Sequence, residues 1–186
     1  MIAFGDVSGK GAAAALYGAL VSGLLRTLAP RRRSPALLMQ SLNEALMERR
    51  VDAQYATLTV ILWEPRWGRL TVVNAGGEAP IVYRRGELIP LRGTGVPIGL
   101  LEGRDYEEEV FATEPGDVVL LYSDGIVDQI NEDEKEFGHA RVRHFLEKHG
   151  SDTPRAAVDA LIAQMDDYRG SMPLTDDQST VILKVL

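Results

Sequence analysis

Four carboxylates stand where the chain leaves or enters an apolar run. Asp6 follows Ile2 to Phe4 and Gly5, Asp124 follows Val118 to Tyr122, and Asp176 and Asp177 precede Ser179 to Val185. If the run ends share a sheet edge, these acids meet although they are far apart in sequence. Clustered carboxylates repel one another and lose hydration unless a cation neutralises them. The chain has no cysteine, which removes thiolate nucleophiles, disulfides, Cys-ligated zinc and iron–sulfur chemistry together. Its three histidines, His139, His144 and His149, lie on one expected helix. Their five-residue spacing turns a helix by about 140°, so they form no His-x-x-x-His metal pair. Oxygen donors without His or Cys select Mg²⁺, Mn²⁺ or Ca²⁺ over Zn²⁺ and Cu²⁺. Two such ions about 3.5–4 Å apart can acidify a water and clamp a phosphoryl group. Taken singly, each Asp reads first as an ordinary turn former or helix cap: Asp6 could cap the helix after Gly9, and Asp177 could be a solvated loop charge.

The elements that must position these acids follow from periodicity. Ile2 to Phe4 reads as a strand, and Leu16, Leu20, Leu24 and Leu28 as the stripe of a small-residue helix packed on a sheet. Ser34-Pro35 has an N-cap with proline behind it, leading a stripe of Leu38, Leu42 and Leu46. Tyr55 to Trp63 and Arg69 to Asn74 form a hairpin, Ala79 to Tyr83 and Leu88 to Leu91 a second one around Arg85-Gly86, and Tyr106 to Ala112 and Val118 to Tyr122 two further strands. One helix carries Val142, Phe145 and Leu146. Another starts at Thr153-Pro154 with Val158, Leu161, Ile162 and Met165 on one face, and Ser179 to Val185 closes the chain as a strand. Segregated helices and antiparallel hairpins make this an α+β layered domain, and no repeat or linker divides residues 1–186.

Composition narrows the partners. The 186 residues carry 20 Lys and Arg against 27 Asp and Glu, a net charge of −7, opposite to the footprint of a nucleic-acid binder. No apolar run looks long enough to cross a bilayer, and the start MIAFGD lacks the form of a signal peptide, so the expectation is a cytoplasmic protein with no membrane partner.

Asp6-Val7-Ser8-Gly9-Lys10-Gly11 ahead of a small-residue helix resembles the motif of the SpoIIE/RsbU-type branch of PPM (PP2C-like) metal-dependent serine/threonine phosphatases. Asn74-Ala75-Gly76, Gly95 to Leu100, Pro115-Gly116-Asp117, Leu121 to Ile126, Phe137-Gly138 and Asp176 to Ser179 follow in that family's order. The resemblance implies a PPM β-sandwich flanked by pairs of helices, in α-β-β-α layers, and two Mn²⁺ or Mg²⁺ ions. Asp6 would bridge them, the Val7 carbonyl would bind the first, and Asp124 and Asp176 would hold the second, with Asp177 the weaker choice beside Asp176. The resemblance thereby implies Asp6, Asp124 and Asp176 as the catalytic acids. A hydroxide bridging the two ions would hydrolyse phosphoserine or phosphothreonine, with anti-sigma-factor antagonists as the usual substrates, placing the chain in bacterial sigma-factor signalling. Upstream sensory domains commonly regulate such enzymes.

Two departures stand out. The family's earlier strand pair, with its "GGD-x-YD"-like motif, is absent, so an N-terminally truncated domain is expected, with an open edge near residues 1 to 6 that favours a homo-oligomer. Gly77 also stands where the family commonly has His. The shortfall leaves a second reading, a catalytically weak PPM-like module that binds a regulatory partner. Other features read as structural. Gly5 to Gly11 has the wrong spacing for a P-loop, Lys10 is a solvated helix-start lysine, and Arg31 to Arg33 form an exposed turn. Tyr55, Trp63 and Trp67 pack a hairpin, Glu107 to Glu109 form a solvated strand edge, and Asp128 lies near the metal mouth.

Overall fold

Local turn and cap chemistry explains where most elements begin. Ser34 caps a helix by accepting a hydrogen bond from the Leu37 N–H, with Pro35 in the first turn, and Thr153 does the same for Ala156 ahead of Pro154. Arg85 (φ 49°) and Gly86 (φ 91°) both sit in the left-handed region that a tight two-residue hairpin demands. In chain order the elements are β1 (Ile2–Val7), α1 (Gly11–Leu28), α2 (Pro35–Met47), β2 (Ala56–Glu64), β3 (Arg69–Ala75), β4 (Ile81–Arg84), β5 (Glu87–Pro90), β6 (Glu109–Ala112), β7 (Val118–Tyr122), α3 (Asp124–Val127), α4 (Gly138–His149), α5 (Pro154–Arg169) and β8 (Thr180–Lys184). This computed structural model describes residues 1–186 apart from 32, 33, 50, 52 and 92–94.

The chain divides into two compact units, Met1–Gly77 with Arg92–Ala112, and Glu78–Leu91 with Thr113–Leu186. The first holds an antiparallel four-stranded sheet in the order β1-β2-β3-β6. Its core joins Tyr17 and Val21 of α1, Leu38, Met39, Leu42 and Leu46 of α2, and Leu58, Val60 and Val73 of the sheet. β1 is an edge strand, as expected of residues 1 to 6. The second holds an antiparallel four-stranded sheet in the order β5-β4-β7-β8, with Ile81, Val118, Leu120 and Tyr122 packed among Phe137 and the apolar faces of α4 and α5.

Several expectations are corrected. Asp6 lies inside β1, opposite Thr57, because the ladder continues one residue beyond it to Val7 and Ala56. The N-cap of α1 is Lys10, whose side chain makes no capping hydrogen bond. Leu16 is 73% exposed and Ile162 55% exposed, since the buried faces of their helices pass through Tyr17 and Val21, and through Ala157, Leu161 and Met165. Trp67 is 70% exposed in a 3₁₀ turn, so it does not pack the hairpin. Glu108 is more than a solvated edge. Its Oε1 accepts from the Ser34 hydroxyl and the Ala36 N–H, neutralising orphan donors at the start of α2. Arg31 ends a short 3₁₀ turn, while Arg32 and Arg33 fall outside the described residues. The 21 residues Gly11–Arg31 do have the length and hydropathy to cross a membrane, contrary to the reading from sequence, although the core helix of a water-soluble domain meets the same test.

Candidate metal centre

In the first unit, Asp6 is carried by β1, one residue before the end of its ladder with β2. Gly5 makes this possible, because a Cβ there would overlap the Thr57 carbonyl oxygen. The Asp6 N–H donates to the Thr57 hydroxyl at 3.2 Å. Immediately beyond, the Ser8 N–H donates to the Tyr55 carbonyl, and the Ser8 hydroxyl accepts from the Tyr55 N–H, both at 2.9 Å. The Asp6–Val7 peptide is thus held at both ends before Gly9 (φ 85°) turns the chain toward α1.

In the second unit, β7 and β8 bring Asp124 and Asp176 to one sheet end. The last ladder pair is Tyr122 with Thr180, and the Ser123 N–H extends it by donating to the Ser179 carbonyl at 3.0 Å. The Ser123 hydroxyl does not cap α3. It donates to the Asp177 carbonyl at 3.1 Å and accepts from the Ser179 N–H at 2.9 Å. Asp124 opens α3, and its Oδ1 accepts from the Gly125 N–H at 2.8 Å, while Asp176 Oδ1 accepts from the Asp177 N–H at 2.8 Å. A Cβ on Gly125 would overlap the Asp177 carbonyl oxygen and come within 3.3 Å of the Asp176 carbonyl carbon. Only glycine lets these two acidic backbones lie against each other.

More acids gather beside Asp124. The Asp128 carboxyl is held above its ordinary value by desolvation and then by Asp124, Glu136 and Glu78, with His139 pulling the other way. His139 Nε2 lies 2.8 Å from Glu78 Oε2. Burial, with the charge of Glu78 adding to it, pushes the Tyr122 hydroxyl up to about 12. The histidines of α4 face three different acids, Glu78, Glu147 and Asp152.

The donors present are hard oxygens, and the Gly125 cradle is filled by backbone that carries two of them, so the residues fit a divalent cation of the Mg²⁺ or Mn²⁺ type. Among the described residues, no three Asp, Glu, His or Cys side chains are grouped to bind a metal. Sequence reasoning missed Ser123, Glu78 and the pairing of His139. Ser123 is legible in retrospect as the hydroxyl next to the strand-ending Asp, but Glu78 and His139 are 61 residues apart and carry no shared local signal.

Comparisons with known proteins bear on the family and the fold. A family model described as Stage II sporulation protein E (SpoIIE) matches residues 1–186. The chain is 28% identical over 130 residues to the phosphoserine phosphatase RsbU of Bacillus subtilis, covering 68% of this chain and 38% of that protein. It therefore corresponds to less than half of RsbU. The SiaA-PP2C domain of Pseudomonas aeruginosa superposes with a TM-score of 0.90 at 23% identity, over 99% of this chain and 75% of that one. The catalytic domain of the serine/threonine protein phosphatase PstP, solved with two manganese ions, superposes with a TM-score of 0.67 at 19% identity, over 97% of this chain and 84% of that one. With its two antiparallel sheets and paired helices in the PPM (PP2C-like) α+β fold, the chain belongs to the SpoIIE family.

Proposed function

We propose that residues 1–186 form one metal-dependent protein serine/threonine phosphatase domain that hydrolyses phosphoserine or phosphothreonine. The match of the SpoIIE family model from the first residue to the last carries this reading. The Asp124–Gly125 cradle against Asp176 and Asp177 supports it, because it packs together the backbones that carry these hard oxygen donors. Asp6, the Val7 carbonyl, Asp124 and Asp176 are the proposed ligands, with Asp177 secondary to Asp176. Its side chain lies one residue further along, and its carbonyl is engaged by Ser123.

Bound there, two Mn²⁺ or Mg²⁺ ions would supply an acidified water as nucleophile and neutralise the phosphoryl oxygens. The protein's own residues have distinct tasks. Ser8 and Thr57 fix the Asp6–Val7 backbone, and Ser123 fixes that of Asp177. The acids Asp124, Asp128, Glu78 and Glu136 repel anions from the metal-free second unit, so a phosphoryl group is admitted only after charge neutralisation. The proposed substrate is a phosphorylated protein of the anti-sigma-factor antagonist type, met in the cytoplasm, and the β1 edge is the proposed contact for self-association.

The deciding experiment follows release of phosphate from a phosphoserine peptide with Mn²⁺, with Mg²⁺ and with chelator. Turnover should require metal and fall by orders of magnitude in Asp124→Asn and Asp6→Asn. Turnover that persists in chelator overturns the reading. Mn²⁺ binding by a single weak site with no turnover would favour the regulatory binding module instead. A monodisperse monomer in light scattering at micromolar concentration would reject self-association through β1.

A further inference from the structure

Gln129 is polar yet wholly buried, at 0% exposure, and it lies five residues after Asp124. Its side-chain amide spends all of its hydrogen-bonding capacity. Nε2 donates to the carbonyls of Ile130 and Pro173, both at 3.0 Å. Oε1 accepts from the Thr175 N–H at 3.3 Å and from Nε2 of Gln178 at 3.0 Å. A primary amide has two donors and two acceptor lone pairs, so none is left over. The orientation of the amide is dictated by its partners, since a carbonyl only accepts and a backbone N–H only donates.

Three of these four partners belong to residues 173–178, a stretch with neither helix nor strand that carries Asp176 and Asp177. They flank Asp176 on both sides. Thr175 to Asp177 are themselves exposed, so without these bonds water would compete for their backbone groups and the stretch would sample many conformations. The backbone of Gln129 is also tied down, its carbonyl accepting from the Phe137 N–H at 2.8 Å, so the amide is mounted on a fixed base.

We propose that Gln129 is a positioning residue of the metal centre: its buried amide sets the backbone of Thr175 to Gln178 and thereby presents the Asp176 carboxylate already oriented for the cation. The proposal rests on the metal reading above. A carboxylate placed before binding does not lose its freedom on binding, and partners one step removed from a metal typically change its affinity by about 10–100-fold.

The test uses the intact chain with Gln129→Leu, which keeps bulk and loses all four bonds, and Gln178→Met, which loses one of them at a less buried position. Mn²⁺ affinity is read by isothermal titration, loop order by amide hydrogen exchange in the metal-free protein, and folding by circular dichroism. Gln129→Leu is expected to fold, bind Mn²⁺ about 10–100-fold more weakly, and exchange faster across residues 173–179 than elsewhere. Gln178→Met is expected to show a smaller loss of the same kind. A folded Gln129→Leu with wild-type Mn²⁺ affinity overturns the proposal, because a merely structural amide would lower stability and leave the affinity alone. If Gln129→Leu does not fold, wild-type affinity in Gln178→Met overturns it. Wild-type protein that binds no Mn²⁺ refutes the metal reading itself.

Discussion

Arg84 and Asp117 form a two-pronged ion pair, with Nε donating to Oδ1 at 2.8 Å and Nη2 to Oδ2 at 2.6 Å. It ties β4 to the Pro115-Gly116-Asp117 turn that launches β7, and so to the strand that delivers Asp124. Asp117 is 1% exposed, and the Glu114 N–H also donates to its Oδ2 at 2.8 Å. Arg84→Met leaves that carboxylate buried with a single donor. The expected loss is about 3 kcal/mol in urea unfolding, most of it recovered when Asp117→Leu is added. A loss below about 0.5 kcal/mol, the scale of a surface change, would show that water reaches Asp117.

The same pair gives an acid limb to stability. Burial alone pushes the Asp117 carboxyl up, but hydrogen bonds from Arg84 and the Glu114 N–H, with the charges of Arg84 and Arg85, outweigh it and hold the carboxyl below its ordinary range. A depressed folded value means that this stabilisation is full above the unfolded value near about 3.9 and is lost as pH falls through the folded one. Thermal scans from neutral pH downward should show wild type losing stability below about pH 4, with Asp117→Asn starting lower and falling less steeply. Parallel curves would contradict the linkage.

Asp128 carries the opposite sign. Its carboxyl is raised, first by desolvation and then by Asp124, Glu136 and Glu78, so its charged form costs stability once pH exceeds the unfolded value near about 3.9. In chelator at pH 7, Asp128→Asn should melt above wild type, and the gap should close as pH approaches about 3. An equal or lower melting point at pH 7 would mean that the neighbouring acids do not act on Asp128.

Gly125→Ala tests the cradle directly. The added methyl would meet the carbonyl oxygen of Asp177, a backbone atom that cannot rotate away. The Asp176–Asp177 backbone must shift, and Mn²⁺ affinity in isothermal titration should fall by about tenfold or more while the far-ultraviolet dichroism is unchanged. Wild-type affinity would place the metal away from this turn.

Much of the fold was legible because its signals are local. The caps at Ser34 and Thr153, the turn at Arg85-Gly86, and the leucines 38, 42 and 46 all depend on neighbours within a few residues. The helix faces were misread where two apolar residues compete. On α1 the sheet side selects Tyr17 and Val21 over Leu16, and on α5 Ala157 is buried where Ile162 is not. Several motif residues prove architectural. Asn74 closes a turn with Gly77 through bonds of 2.8 and 2.9 Å, and Gly76 (φ 79°) leaves room for Pro97, whose Cγ would lie 2.6 Å from a Cβ at that position. Asp117 of the Pro-Gly-Asp motif is the buried ion-pair partner of Arg84.

By itself the sequence determined the class of chemistry. The residue types exclude soft-ligand and thiolate reactions, and ordered motifs from Asp6 to Asp177 assign the family, because donor chemistry and short-range spacing belong to the chain whatever its fold. Only the tertiary structure decided what holds the acids in place. The Ser123 hydroxyl on Asp177, the buried amide of Gln129 around Asp176, and the Arg84–Asp117 pair join residues 33 to 54 positions apart. A hydrogen bond between distant residues leaves no periodicity along the chain. It exists once β7 and β8 are side by side, and there the loss of water makes each such bond decisive.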